Sequence, residues 1–136
     1  MDNRIARFEA AQAKALEAVL ENSEWLTAEE IGERRKADPS NVVAHVNQWR
    51  EDGKVFAISY QGKDRFPRYA LDDTFRPIPA LESVLKLFGS IDPWRIAVWF
   101  ESTNAWLNNR RPRQLLSEEP ERVQRAAERY RNSGRG

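Results

Sequence analysis

The chain of 136 residues and 15.8 kDa is long enough for one ordinary domain or two small ones, and it is short for an enzyme with an enclosed cleft. It has no cysteine and one histidine, His45, which excludes disulfides, thiol chemistry and a Cys- or His-rich metal cluster, and no apolar run approaches the roughly 20 residues that cross a bilayer. The net charge of +1 is uneven, since residues 22–75 carry −2 and residues 76–136 carry +4. We therefore expect a cytoplasmic binding or regulatory protein with no metal, no cofactor and no contact with a membrane.

The first predicted element is an amphipathic helix over residues 3–21, NRIARFEAAQAKALEAVLE, because apolar residues recur there at three- and four-residue steps. The sequence NSEW interrupts it, and a short extended piece around Trp25 to Leu26 follows. A second helix begins after Thr27, since Thr27 and Glu30 have the spacing of a capping box, in which each side chain accepts a backbone hydrogen bond from the other residue.

A third helix is predicted from about Pro39 to Asp52. Asp38 has the position of an N-cap with proline at the first helical position, and Gly53 ends the helix. The apolar positions of this helix form an inner stripe of Val42, Val46 and Trp49.

Two β-prone segments follow, VFAISY and RFPRYAL, and the sequence QGKD joins them. Gly62 supplies the turn, so the segments are expected to form a hairpin with a polar and basic tip. The order of helix, extended piece, helix, sharp turn, helix and hairpin resembles a winged helix-turn-helix domain over residues 5–71, and LTAEEIGERRKADPSNVVAHVNQWREDGKVF carries most of the resemblance. The resemblance implies that the third helix is a recognition helix and that the hairpin is a wing.

In a helix-turn-helix domain the recognition helix enters the major groove, where Asn and Gln can bond base edges and small apolar side chains can contact thymine methyl groups. Basic residues before the turn and on the wing are suited to phosphate contacts. The predicted DNA-binding residues are Arg34, Arg35, Ser40, Asn41, Ala44, His45, Gln48, Lys63, Arg65 and Arg68.

Two observations leave the DNA interpretation open. Residues 22–75 carry a net charge of −2 and lack the broad basic surface of a tight DNA binder. Helix-turn-helix folds also serve as scaffolds for protein interaction, and His45 can equally be a helix-surface residue without a special role. A protein-interaction adaptor that no longer binds DNA is therefore an alternative.

A second helical unit is predicted after the wing, where Pro77 and Pro79 mark a connector. A helix over residues 80–88 comes next, and Gly89 ends it. The sequence DP at residues 92–93 then gives another N-cap with proline at the first helical position, so a further helix begins there.

That further helix, in the sequence DPWRIAVWF, is apolar on nearly all sides, as expected for a helix at the centre of a small bundle. Trp99 and Phe100 are therefore expected in the core. Trp94 and Trp106 lie near helix ends, where an indole can be half exposed and donate its N–H. They are candidates for a contact surface.

Several motifs of the second half occur together in a fixed order: a proline and an aromatic residue after the wing, a proline-led helix, DPWRIAVWF, NAWL, RRPRQLL and a final helix rich in valine and alanine. With this series, residues 66–130 resemble the toxin-binding domain of the Xre/MbcA/ParS antitoxin family. The resemblance implies an α-helical domain that binds a protein toxin, often an ADP-ribosyltransferase-like toxin of the RES class that attacks NAD. It also implies a dimeric antitoxin that binds operator DNA and represses its own operon.

The chain departs from the family pattern after NAWL, where Asn108 and Asn109 stand near a position at which the family usually has glycine. Asparagine tolerates left-handed backbone better than other non-glycine residues, so the turn can survive. The N-terminal part also differs, because many family members carry a phage-repressor-like helix-turn-helix instead of a winged helix.

The last predicted helix begins with Ser117 as its N-cap, and residues 132–136, NSGRG, are expected to form a disordered tail. The arginines of this helix could block an acidic or NAD-binding cleft of a toxin, and a solvated helix face is the alternative for each of them. The predicted partner-binding residues are Trp94, Trp106, Asn108, Arg110, Arg111, Arg113, Arg129 and Arg131.

We therefore predict a mainly α-helical fold with a small β-hairpin wing, in which a winged helix-turn-helix domain over residues 1–75 precedes an antitoxin-like, toxin-binding helical bundle over residues 76–136. An enzyme is not expected, because the sequence offers no nucleophile with a base, no phosphate loop and no carboxylate dyad. The predicted function is that of a homodimeric antitoxin of a type II toxin–antitoxin system. A winged-helix transcriptional regulator without a toxin partner is the second interpretation.

Overall fold

The computed structural model describes residues 3–36 and 38–133. It is mainly helical with one small three-stranded antiparallel sheet, which confirms the coarse fold prediction. None of the helices in this described part of the chain combines the length and hydrophobicity that a membrane span requires. The helices are α1 (Asn3–Asn22), α2 (Ala28–Arg35), α3 (Pro39–Glu51), α4 (Pro79–Phe88), α5 (Pro93–Glu101), α6 (Pro112–Leu115) and α7 (Pro120–Ser133). The strands are β1 (Trp25–Leu26), β2 (Ile58–Tyr60) and β3 (Lys63–Pro67), and short 3₁₀ helices cover Arg68–Ala70 and Ala105–Leu107.

Side-chain caps fix the starts of three helices at the predicted positions. At α2, the Glu30 N–H donates to Thr27 Oγ1 at 3.2 Å and the Thr27 N–H donates to Glu30 Oε1 at 2.9 Å, which is the predicted capping box. The hydrogen bond from the Thr27 backbone is also the main reason why the pKa of Glu30 lies below its usual range. At α3 and α5 the Asp38 and Asp92 side chains accept from the Ser40 and Trp94 N–H groups without a capping box, and each helix has a proline at its first position.

The predicted hairpin is present, and its turn is tighter than expected. Gln61 and Gly62 alone connect the strands, with φ angles of 53° and 76°, which are the left-handed values that a two-residue type I′ turn requires. Lys63 and Asp64, predicted to lie in the loop, therefore belong to β3, where Lys63 pairs with Tyr60. That part of the prediction was wrong because a two-residue turn lets the strands pair up to the turn itself.

The chain after Pro67 was predicted as strand and is a 3₁₀ helix instead. The central strand β3 pairs on one side with β1, and this ladder ends where Trp25 meets Pro67. Because β1 has only two residues, the strand loses its partner there. The backbone then closes a turn in which the Leu71 N–H donates to the Arg68 carbonyl at 3.1 Å.

One apolar core extends through both halves of the chain. Helix α5 lies at its centre with Trp99 and Phe100 buried, as predicted. Phe100 stacks on Phe56 with ring centroids 5.9 Å apart, and Trp99 meets Phe88 edge to face at 5.1 Å. Contacts therefore cross the predicted domain boundary between residues 75 and 76, and the division itself stays a prediction.

The start of the last helix corrects the predicted N-cap. The chain turns at Ser117, and α7 begins at Pro120. The turn of α6 continues as far as Glu119, whose N–H donates to the Leu115 carbonyl at 2.8 Å, and the Glu119 carbonyl accepts the Val123 N–H at 3.3 Å. Proline at the first helical position sets the boundary three residues later than the predicted serine cap.

The end of the last helix also differs from the prediction. Asn132 and Ser133, expected in a disordered tail, form the last residues of α7. The Ser133 hydroxyl donates to the Arg129 carbonyl of the preceding turn at 2.8 Å. Residues 134–136 of the predicted tail lie outside the described residues.

Candidate functional site

Helix α3 presents one polar face to solvent. Val42 and Val46 are buried against the core, and Trp49 is partly buried beside them. The side chains at three- and four-residue steps on the other side of the helix can reach a ligand without changing the packing. We call this exposed set the α3 face, and it consists of the predicted base-contacting residues Ser40, Asn41, Ala44, His45 and Gln48.

The two predicted phosphate-binding arginines of α2 are already engaged by other groups. Arg34 donates from Nη2 to Glu24 Oε2 at 2.6 Å, and this hydrogen bond raises the pKa of Arg34 above its usual value. Arg35 lies over the Trp49 ring at 5.9 Å, and its Nη1 is buried without a hydrogen-bond partner among the described residues. Arg35 therefore packs between α2 and α3, and Arg34 is the more accessible of the two.

A salt bridge joins the end of α3 to the hairpin. Arg50, which the sequence did not single out, donates from Nη1 to Asp64 Oδ2 at 2.6 Å. Arg65 donates from Nε to the Tyr60 carbonyl at 3.3 Å and lies over the Tyr60 ring at 5.8 Å. Lys63, next to the turn, is exposed. Among the predicted hairpin cations, Arg65 and Arg68 are hydrogen-bonded to backbone carbonyls, whereas Lys63 forms no salt bridge with the described residues.

Arg68 was placed on the wing from the sequence, and the structure places it in the 3₁₀ helix that follows β3. Its Nη1 donates to the carbonyls of Leu71 and Asp72 at 2.9 and 3.2 Å. Its guanidinium also lies 4.1 Å from the ring centroid of Phe75. These contacts make Arg68 a support of the loop after the sheet.

That loop is organised around the Asp72 carboxylate. Oδ1 accepts hydrogen bonds from the Thr74 hydroxyl at 2.6 Å, the Thr74 N–H at 2.8 Å and the Arg76 N–H at 3.1 Å. These bonds, with that from the Thr74 hydroxyl the largest cause, hold the pKa of Asp72 below its usual range. The loop also holds Phe75 at a φ of 60°, an uncommon value for an aromatic residue.

Trp106 is the large hydrophobic side chain that the described part of the chain exposes most, with 59% of its surface accessible. Its backbone is fixed from both sides. The Trp106 N–H donates to Asn104 Oδ1 at 2.9 Å, and Asn108 and Asn109 follow with φ angles of 55° and 62°. The two asparagines adopt the left-handed conformation in which glycine was expected from the family pattern, so the predicted turn survives.

Arginines of α7 surround the Trp106 indole. The guanidinium of Arg129 lies 4.1 Å from the ring centroid. The residues that line this shallow concavity, which we call the Trp106 pocket, are Trp106, Arg122, Arg125, Ala126, Glu128 and Arg129. Arg122 and Arg125 were not among the predicted partner-binding residues. Their spacing from Arg129 on one helix, at seven and four residues, is the signal that could have found them.

Two of the predicted partner-binding arginines are hydrogen-bonded to one buried glutamate. Glu101 is 7% exposed, and its Oε1 accepts from Arg113 Nε at 2.5 Å. Its Oε2 accepts from the Ser23 hydroxyl at 2.8 Å, and its backbone carbonyl accepts from Arg111 Nε at 2.9 Å. This Glu101 cluster ties the end of α1 to α5 and α6, and it makes both arginines structural.

A buried hydroxyl lies next to the Glu101 cluster. Tyr69 packs against Phe100 at 5.3 Å, and its Oη is buried without a hydrogen-bond partner among the described residues. Burial raises the pKa of Tyr69 well above its ordinary value, and the charge of Glu101 acts in the same direction. Tyr69 therefore stays protonated in the folded chain.

The other predicted partner-binding residues do not line the Trp106 pocket. Asn108 and Arg110 are exposed on the turn after it. Trp94 is half-buried and lines a separate groove with Leu16 and Ile58. Arg131 is exposed in another hollow on α7, beside Leu87. The structure thus brings Trp106 and Arg129 together and leaves Trp94 and Arg131 elsewhere.

No protein-family model, curated protein or solved structure matches the chain. The class that the coordinates themselves define is a mainly helical protein with a small antiparallel sheet. The two candidate binding surfaces are the α3 face and the Trp106 pocket.

Proposed function

We propose that the chain is an antitoxin that represses its own operon: a winged helix-turn-helix in the N-terminal half binds operator DNA, and the C-terminal helices bind and neutralise a protein toxin. The observation that carries the DNA part is the α3 face. Five polar or small side chains are exposed on the side of α3 opposite the buried Val42 and Val46. A recognition helix needs this division, because its inner stripe holds the helix while its outer face enters the major groove.

The neighbours of α3 support the winged-helix interpretation. Helix α2 packs on α3, and the short strand β1 before α2 pairs with β3 of the hairpin. The Arg50–Asp64 salt bridge sets the hairpin beside the C-terminal end of α3. In this arrangement the hairpin can contact the DNA backbone while α3 contacts base edges.

The toxin-binding part of the proposal rests on the sequence motifs. DPWRIAVWF forms α5, NAWL forms the 3₁₀ helix of Trp106, and RRPRQLL forms α6 and its approach. The family resemblance gives these elements a role in binding a toxin, of which the NAD-directed RES class is one candidate. In this proposal the protein is a cytoplasmic homodimer and has no catalytic activity of its own.

The DNA part is tested with the full-length chain and DNA from upstream of its own gene. Asn41→Ala is expected to weaken specific binding by about 5- to 100-fold, because a bidentate base contact contributes about 1–3 kcal/mol. Asn132→Ala is the matched control, since Asn132 is an exposed asparagine of α7 rather than of α3. Fluorescence anisotropy measures both. Equal affinities for the two variants would contradict the α3 face as the base-contacting surface.

The toxin part is tested in cells. Expression of the adjacent gene product alone is expected to arrest growth, and co-expression of this chain to restore it. The full chain is used, because removal of residues 76–136 would uncover Phe56 and leave Ser23 without Glu101. Specific DNA binding without rescue of growth would instead identify a winged-helix regulator that has no toxin partner.

A second candidate function, a protein-interaction adaptor without DNA binding, is favoured by the state of the arginines near α3. Arg34 and Arg50 are paired with carboxylates, and Arg68 is bonded to backbone carbonyls. Nonspecific phosphate binding is strongest at low salt, so DNA retention there is the decisive measurement. A chain that rescues growth and shows no DNA retention even at low salt would be an adaptor.

A further inference from the structure

The Trp106 pocket combines a fixed indole with several cations. A single exposed hydrophobic residue is ordinary on a protein surface and indicates nothing by itself. Trp106 differs because its backbone is held by the Asn104 cap and by the left-handed pair Asn108 and Asn109. Little backbone entropy therefore remains to be lost at Trp106 when a partner packs on it.

The charge around Trp106 is positive and is largely available to a ligand. Three arginines and one glutamate line the pocket. Arg122 bonds Glu119 at 3.1 Å, whereas no salt bridge within the described residues involves Arg125 or Arg129. Arg129 lies on the indole, where its guanidinium keeps most of its five N–H donors free for an incoming acceptor.

We propose that the Trp106 pocket binds an acidic segment of a partner protein, with an apolar side chain of that segment against the indole and its carboxylates on Arg125 and Arg129. This inference rests on the proposed partner-binding role of the C-terminal helices and assigns that role to one surface. Tryptophan and arginine are the side chains that most often dominate binding energy at protein interfaces. Arg–carboxylate pairs add direction, because they can form two parallel hydrogen bonds.

A nucleic acid is the less favoured ligand for the same surface. A base binds a tryptophan by stacking on its face, and Arg129 already covers one face of Trp106 at 4.1 Å. Glu128, which lines the pocket, would also repel a phosphate chain. An apolar side chain needs only the exposed edge of the indole, and isolated carboxylates can bond the arginines while they avoid Glu128.

The experiment is a titration of the full-length, ¹⁵N-labelled chain, followed by the indole N–H signals in NMR spectra. The probe is a short synthetic peptide with a central leucine flanked by aspartates. The same peptide with asparagine in place of each aspartate is the control, and single-stranded DNA is the third ligand. Trp106→Phe assigns the Trp106 signal. Trp25 is an internal reference, because its indole N–H donates to the Val19 carbonyl at 2.9 Å inside the core.

The acidic peptide is expected to shift the Trp106 signal and to leave the Trp25 signal in place. Arg129→Gln is expected to weaken this binding by about tenfold, a typical effect for one interface hot spot. Arg131→Gln is the matched control: it removes the same charge from an exposed position of the same helix outside the pocket, and a change of less than about twofold is expected.

Three results would overturn the proposal: equal binding of the acidic and asparagine peptides, tighter binding of single-stranded DNA than of the acidic peptide as reported by the Trp106 signal, or equal effects of Arg129→Gln and Arg131→Gln. Growth rescue separates this inference from the proposed function. A wild-type chain that fails to rescue growth counts against the antitoxin function. If the Arg129→Gln variant rescues growth as well as the wild type does, only the assignment of partner binding to the Trp106 pocket is contradicted.

Discussion

The α3 face and the Trp106 pocket differ in how their arginines are held. Next to α3, Arg34 and Arg50 each bond a carboxylate at 2.6 Å. In the Trp106 pocket, Arg129 lies on an aromatic ring, and the described residues provide no salt bridge to it. The net charge of a region therefore indicates poorly whether that region binds an anion. The hydrogen-bond acceptors that already lie within reach of each arginine are the better guide.

The two salt bridges near α3 are weak enough to be exchanged. Their side chains are roughly half exposed, and exposed pairs of this kind contribute about 0–1 kcal/mol. A DNA phosphate can therefore replace Glu24 or Asp64 at little cost. The positive charge near α3 is released only when a ligand competes for it, whereas the charge of the Trp106 pocket is available from the start.

The largest effect is expected from a substitution in the Glu101 cluster, where the two halves of the chain meet. In Glu101→Gln the amide oxygen can still accept from Arg113 Nε and the amide N–H₂ can donate to the Ser23 hydroxyl, but the negative charge opposite Arg113 is lost. The free energy of unfolding is expected to fall by about 2–4 kcal/mol, because one partner of a buried ion pair is lost. The value lies at the lower end of the usual range, since the Arg113 side chain is 24% exposed. Urea denaturation followed by tryptophan fluorescence measures it.

The control for this variant is Glu82→Gln, which removes the carboxylate of an exposed pair with Lys86 at 3.7 Å. Its expected effect is at most about 0.5 kcal/mol. If Glu101→Gln changes the unfolding midpoint no more than Glu82→Gln does, the two halves do not depend on the Glu101 cluster.

The second prediction concerns two turns with left-handed backbone, one at Gly62 in the hairpin and one at Asn108 after Trp106. Gly62→Ala is expected to lower the free energy of unfolding by about 1 kcal/mol, because alanine is strained at a φ of 76°. Nothing lies within 4 Å of the added Cβ, so the effect comes from the backbone alone. Thermal unfolding followed by circular dichroism measures it.

Asn108→Gly is the control from the other turn. Glycine relieves the left-handed backbone at Asn108 and gains entropy in the unfolded chain, so the two effects are expected to cancel within about 0.5 kcal/mol. An unchanged melting temperature for Gly62→Ala would argue that the hairpin turn adapts, and that the position of the hairpin is less fixed than that of Trp106.

The features that sequence reasoning predicted correctly are local. The capping box of Thr27 and the caps at Asp38 and Asp92 involve residues two or three positions apart, so the pattern contains both partners. The left-handed turns at Gly62 and Asn108 were found for the same reason. The exposed side of α3 followed from the position of its apolar stripe.

The features that it missed depend on distant partners or on competing local signals. Ser23 and Glu101 are 78 positions apart, and no periodicity connects them. The roles of Arg111 and Arg113 depend on that same glutamate, so the sequence placed them on an exposed loop. The Ser117 cap was wrong because Pro120, a strong helix-start signal three residues later, determined the boundary.

The third prediction concerns a substitution that frees one arginine beside α3 from its salt bridge, so that this arginine becomes as available to a ligand as those of the Trp106 pocket. Asp64→Asn removes the carboxylate that bonds Arg50. Nonspecific binding of a random-sequence DNA duplex at low salt is expected to become about two- to fivefold tighter, because one more cation can contact phosphate. Fluorescence anisotropy over a series of salt concentrations measures it.

Glu82→Gln again serves as the control, since it removes one negative charge from α4 and changes the net charge by the same amount. Only a local effect at Arg50 distinguishes the two variants. Equal changes in DNA affinity would show that net charge, and not the release of Arg50, controls the interaction. The salt bridge of Arg50 would then not be what limits DNA binding near α3.

The smallest expected effect concerns the Asp72 loop, which supports the N-terminal half through Arg68 and Phe75. The pKa of Asp72 is lower in the folded chain than its ordinary value of 3.8, so its carboxylate stabilises the fold above about pH 4, and this contribution is lost as the pH falls through the lower, folded-state pKa. Asp72→Asn accepts the same hydrogen bonds without titrating. The stability difference between wild type and Asp72→Asn is therefore expected to shrink as the pH falls from 5 to about 3, by about 0.5 kcal/mol or less because Asp72 is exposed. Urea titrations across this range measure it, and a difference that grows toward low pH would show that folding does not lower the pKa of Asp72.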